Sequence, residues 1–142
     1  MDESDNEPID WSIFASIRAE LGAGFVRIVG YFREDGETSV ARIEAAMRRQ
    51  DTAGIVLPAH RLKTEARQFG AEALGELSEE IEFAARRAME LRVFPDNLIP
   101  AVTRLRRLYN ETSILLEAEI NPLVQRRGSF GRDEANQDFG RL

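Results

Sequence analysis

The chain has 142 residues, a formal net charge of −6, 43% hydrophobic and 31% charged residues, one histidine and no cysteine. These values suit one soluble domain with its own core, exclude a disulfide framework or thiolate metal site, and leave too few ligands for a zinc or di-iron centre. Net acidity argues against nucleic acid as the main partner, and no stretch approaches the ~20 apolar residues of a membrane span.

Alanine, leucine, glutamate and arginine are abundant and β-branched runs are nearly absent, which favours helix. Residues 1–9 read as a flexible acidic tail. The tail has no basic region followed by an apolar segment, so no signal peptide is expected and the expected compartment is the cytoplasm. Asp10 or Ser12 is placed to cap a first short helix, with Trp11 at its start and Ile13, Phe14 and Ile17 on its apolar face. Gly22 and Gly24 mark a break. A second helix is expected to about Arg33, with Leu21, Phe25, Ile28 and Phe32 at four-three-four spacing. Glu34-Asp35-Gly36 reads as a turn. Thr38 or Ser39 then opens a helix to about Gln50, with Val40, Ile43 and Met47 inward. Asp51-Thr52-Ala53-Gly54 is a short connection offering Asp51 or Thr52 as a cap.

The next run, Ala59-His60-Arg61-Leu62-Lys63-Thr64-Glu65-Ala66-Arg67-Gln68-Phe69-Gly70, holds the lone histidine. Ile55, Ala59, Leu62, Ala66 and Phe69 share one helical face. At roughly 100° per residue, His60 lies well off that stripe, with Thr64 and Arg67 on its own side and Lys63 at the stripe's edge one turn on. Pro58 places the start of this helix near Ile55 or later, or a kink just before the histidine. An exposed neutral imidazole is a good nucleophile near pH 7, its ordinary pKa being about 6.5. Attack on a phosphoryl group leaves extra negative charge, which a lysine at i+3 is placed to stabilise.

Gly70 ends that helix. Another runs from about Glu72 to Leu91, with Leu74, Leu77, Ile81, Ala84, Ala88 and Leu91 inward. Its carboxylates Glu72, Glu76, Glu79 and Glu80 read as a solvated face favoured by the helix dipole. Val93 to Asn97 interrupts the pattern, and Asp96 or Asn97 is placed to cap a last helix through about Ile120. That helix carries Leu98, Val102, Leu105, Tyr109, Thr112, Leu116 and Ile120 inward. Asn121-Pro122 stops it. Residues 122–142 are polar, glycine- and arginine-rich and expected to be flexible. Phe130 and Phe139 read there as residual hydrophobes rather than a docking motif. The chain has no internal repeat, glycine-rich phosphate loop, catalytic triad or paired-carboxylate site.

Residues Ala59, His60, Leu62, Lys63, Ala66, Phe69 and Gly70, continued by Ala71 and Leu74, resemble the signature of the histidine phosphotransfer domain. That domain is the carrier module of bacterial multi-step phosphorelays. The resemblance covers roughly Ile13 to Ile120. It implies that His60 accepts a phosphoryl group on Nε2 and that Lys63 is its electrostatic partner. It also implies response-regulator receiver domains, or the receiver of a hybrid histidine kinase, as partners. Arg61, Thr64, Arg67 and Gln68 are then the expected docking residues. No cofactor or metal is expected on this chain, the Mg²⁺ belonging to the receiver. Arg48, Arg49, Arg61, Lys63 and Arg67 supply a basic spot suited to a carboxylate-rich receiver pocket. Thr64 departs from the family, which usually has glycine after the lysine. With Glu65 it motivates the alternative of a non-transferring adaptor that binds or sequesters receivers.

The expected fold is all-α: an antiparallel up-down four-helix bundle over residues 10–121, with an additional short N-terminal helix. A monomer is expected. The sequence carries no ATP-binding kinase module, so a phosphoryl carrier is expected rather than a stand-alone enzyme.

Overall fold

The computed structural model describes residues 7–120, and these contain five α-helices and no strand. Helix α1 spans Trp11–Leu21, α2 Phe25–Arg49, α3 Ala53–Gln68, α4 Glu72–Leu91 and α5 Ile99–Ile120. Short connections join α2 through α5 in antiparallel succession. α2 contacts α3 and α5, and α4 contacts the same two, so the four long helices close into a bundle. The α3–α4 pair packs most extensively. The sequence-predicted segment 122–142 lies outside the described residues. No described helix is long and apolar enough to cross a membrane.

Asp10 caps α1, its Oδ1 accepting from the N–H groups of Ser12 (3.0 Å) and Ile13 (3.3 Å). The N–H of Asp10 donates to the Gly70 carbonyl across 2.7 Å, tying the start of α1 to the end of α3. Gly70 has φ +79° there, and a Cβ would stand 2.7 Å from the Asp10 carbonyl oxygen. Both the backbone conformation and the close approach need glycine. Ile9 and Phe14 bring this segment into the core.

The expected turn at Glu34-Asp35-Gly36 does not exist: α2 runs unbroken for 25 residues. Its buried positions Phe25, Val29, Phe32, Gly36, Val40 and Ile43 follow one helical phase straight through Gly36. Gly36 is an approach point for α5 rather than a breaker. A Cβ there would stand 2.6 Å from Cε1 of Tyr109, whose hydroxyl donates to the Arg33 carbonyl one turn earlier. In the same helix Val29 is fully enclosed, whereas Ile28, expected inward, is exposed, as is Leu21 at the end of α1. Nearby, Arg106 of α5 bridges Glu37 and Glu44 of α2, with contacts of 2.8–3.1 Å.

The core joins the α2 stripe to Ile55, Ala59, Leu62 and Ala66 of α3, to Leu74, Leu77, Ile81 and Ala85 of α4, and to Val102, Leu105, Tyr109 and Leu116 of α5. Pro100 is the second residue of α5, where its missing N–H interrupts no intrahelical bond.

Candidate functional site

Helix α3 begins at Ala53, two residues before the expected start. Asp51 is the reason: its Oδ1 accepts from the Gly54 N–H at 3.0 Å, satisfying a first-turn donor. Pro58 then lies inside the helix and is buried. Its ring removes the N–H that would reach the Gly54 carbonyl, yet the helix continues on both sides.

Ile55, Ala59, Leu62 and Ala66 are all fully enclosed, so His60 leaves α3 on the opposite side. Its side chain keeps 47% of its surface exposed. The ring does not stand alone. Nδ1 lies 3.1 Å from Oε2 of Glu82 on α4, a carboxylate whose side chain is only 3% exposed. Lys63 Nζ reaches the other oxygen, Oε1, at 2.9 Å. That contact is an ion pair off the hydrogen-bonding direction, so Oε1 has no aligned donor among the described residues. Arg86, one turn after Glu82, brings Nε (2.9 Å) and Nη2 (2.8 Å) to Oε2. The Lys63 ammonium also stands 5.7 Å from the ring centroid of exposed Phe83.

This cluster settles the form of the imidazole. Burial pushes the Glu82 carboxyl up, but the Lys63 ammonium, the Arg86 guanidinium and the His60 ring beside it outweigh burial and hold the group below the usual carboxylate range. Glu82 is then ionised at neutral pH and can only accept. Nδ1 must carry a proton and donate, so the neutral ring has its lone pair on Nε2. Among the described residues no group hydrogen-bonds to Nε2. The ring is therefore oriented by a buried carboxylate and presents a nucleophilic nitrogen outward.

The family model described as "Hpt domain" matches residues 27–120. This chain belongs to the Hpt domain family. Its fold is similar to the crystal structure of histidine-containing phosphotransfer protein B from Pseudomonas aeruginosa PAO1, with a TM-score of 0.74 and 22% sequence identity. The match covers 82% of this chain and 97% of that one. No curated protein matches the chain.

Within this Hpt fold the residues expected from sequence take different positions. His60 and Lys63 come together through Glu82. Arg61, Thr64 and Gln68 are exposed on the His60 side of α3. Thr64 folds its hydroxyl back, donating to the His60 carbonyl at 3.2 Å. Arg67 is drawn towards α4, where Nη2 donates to Glu79 Oε1 at 2.9 Å. Arg49 pairs with Asp51 at 3.3 Å. Several charges of the expected basic spot thus have acidic partners. Glu65 turns away from Glu82 towards α2. Burial, then the Asp35 carboxylate, pushes its carboxyl up, while Arg61 partly opposes them.

Glu82 and Arg86 were absent from the sequence-based site. One signal for Glu82 existed: it follows Ile81 and precedes Ala85 by three, on the buried face of α4. A carboxylate at a core position needs partners. Nothing in the local pattern says that they come from α3. Among the described residues no group of histidine, aspartate and glutamate side chains is arranged to hold a metal ion.

Proposed function

We propose that the protein relays a phosphoryl group between receiver domains through phospho-His60. The observation that carries this reading is the Nδ1 hydrogen bond to Glu82 from a half-exposed ring, which places the neutral imidazole's lone pair on Nε2. In the step, the Nε2 lone pair attacks the phosphorus of a receiver's aspartyl phosphate. The P–N bond forms, the P–O bond to aspartate breaks, and the carboxylate leaves with the bonding pair. The ring becomes an N-phosphoimidazolium whose Nδ1–H remains on Glu82. Transfer to a second receiver reverses these changes, with the imidazole as leaving group.

Each residue has a part. Glu82 is a positioning residue that selects the tautomer and stabilises the positive ring. Lys63 holds Glu82 and places a positive charge beside the phosphoryl group. Arg61, Thr64, Arg67 and Gln68 flank His60 on α3 and form the receiver-facing surface. The Mg²⁺ that assists the transfer is assigned to the receiver. This division suits a carrier: this protein contributes a nucleophile and fixed charges, and its partners contribute the phosphorylation pocket.

The test is to charge receiver domains with labelled phosphate, add the wild-type protein or His60→Gln, and follow the label. Acid-labile, base-stable label on the wild type alone supports the relay. Binding without label on either protein overturns it and leaves the sequestering adaptor.

A further inference from the structure

We propose, on the reading that His60 carries a phosphoryl group, that Arg86 binds that group by moving off Glu82. Oε2 of Glu82 takes hydrogen bonds from His60 Nδ1 at 3.1 Å and Arg86 Nε at 2.9 Å, with Arg86 Nη2 beside it at 2.8 Å as an ion-pair contact. A carboxylate oxygen has two lone pairs. Both are taken, and Arg86 is the partner with somewhere to go.

Exposure separates the two cations. The Lys63 side chain is 16% exposed and lies against Phe83, whereas that of Arg86 is 53% exposed. Charge points the same way. In the resting site Lys63 and Arg86 face the single carboxylate of Glu82, so one positive charge is in surplus beside the ring. A phosphoryl group brings close to two negative charges to a ring that shares Oε2 with the guanidinium. The planar fork of arginine fits phosphate oxygens bidentately. When Arg86 departs, Lys63 and the Nδ1–H remain on Glu82, so the buried carboxylate keeps its counter-charge. Phosphorylated and unphosphorylated proteins then differ by a discrete side-chain exchange at the receiver-facing surface.

The test charges the full chain with phosphoramidate, a small donor that needs no partner protein, and removes the excess. Loss of label from His60 is then followed in wild type, Arg86→Ala and Arg86→Lys, along with the NMR resonance of the Arg86 Nε–H. The expected result is label loss roughly tenfold faster in Arg86→Ala, the scale of one charge-assisted hydrogen bond. Arg86→Lys should fall between, and the Arg86 resonance should shift on charging. Equal decay in all three proteins, or an Arg86 resonance that stays in place, overturns the exchange while leaving the carrier reading intact. A wild type that neither phosphoramidate nor any receiver labels at His60 removes the carrier reading, and this inference with it.

Discussion

The Nδ1–H of His60 and the Oε2 of Glu82 lie 3.1 Å apart, joining the exposed side of α3 to the buried face of α4. The reactive side chain is thus solvent-facing, while the group that orients it is almost wholly enclosed. Exposure lets a partner protein approach; enclosure keeps water from competing for the orienting bond.

Glu82→Gln separates the charge of this carboxylate from its shape. The amide keeps an acceptor for Nδ1 but leaves Lys63 and Arg86 without their shared counter-charge. Breaking a buried ion pair costs about 3–5 kcal/mol, and the exposed Arg86 places this case near the lower end. Chemical denaturation should show that loss. Phosphoryl transfer to His60 should slow by about tenfold or more, as expected where a preorganised charge is removed.

Two carboxyls give opposite responses to pH. The Glu82 carboxyl is held below its unfolded value. Its contribution to stability is complete above the unfolded value, near 4.3, and disappears as pH falls through the lower folded value. Glu82→Gln should therefore flatten the acid limb of the stability profile. The Glu65 carboxyl is raised by burial, so its ionisation costs stability as pH rises from the unfolded value through the folded one. Glu65→Gln should raise Tm at neutral pH and leave it unchanged in acid. A gain that persists in acid would sink this account of Glu65.

Two glycines of α2 should respond with opposite signs to alanine. At Gly30 nothing lies within 4 Å of an added Cβ, so Gly30→Ala should stabilise by about 0.5–1 kcal/mol through backbone entropy. At Gly36 the added Cβ would stand 2.6 Å from Cε1 of Tyr109. The ring is anchored through its hydroxyl to the Arg33 carbonyl, and overpacking of this kind costs about 1–3 kcal/mol. Gly36→Ala should lower Tm despite its better helix propensity.

Thr64→Gly tests the approach to His60. The substitution removes a β-branched side chain from the exposed surface beside His60, along with the 3.2 Å bond to the His60 carbonyl. Glycine in this exposed turn should cost about 0.5 kcal/mol. Transfer from a charged receiver should be faster. An unchanged rate would show that the threonine does not limit access.

Much of this was legible locally. The span of α4, the inward stripe of α5, a cap at Asp10 or Ser12 (Asp10 in the structure) and the outward direction of His60 all follow from the period of the apolar residues and the chemistry of caps. The misreadings share a cause. Gly36 looked like a breaker because glycine is judged by its neighbours in sequence, whereas here it is chosen by Tyr109 on another helix. Ile28 and Val29 compete for one inward position on apolarity alone, and helix packing selects Val29.

The sequence by itself determined the class of fold and located the single histidine on a helix, because helical periodicity and a lone histidine are properties of short segments. Only the tertiary structure decided what surrounds that histidine. Glu82 stands 22 positions away, within a helix where Glu76 and Glu80 are exposed and Glu79 pairs with Arg67. Whether a carboxylate on α4 is solvated or becomes the buried hub for His60, Lys63 and Arg86 depends on how α3 and α4 are rotated against each other. That rotation is set by side-chain packing across the whole interface, which no local pattern encodes.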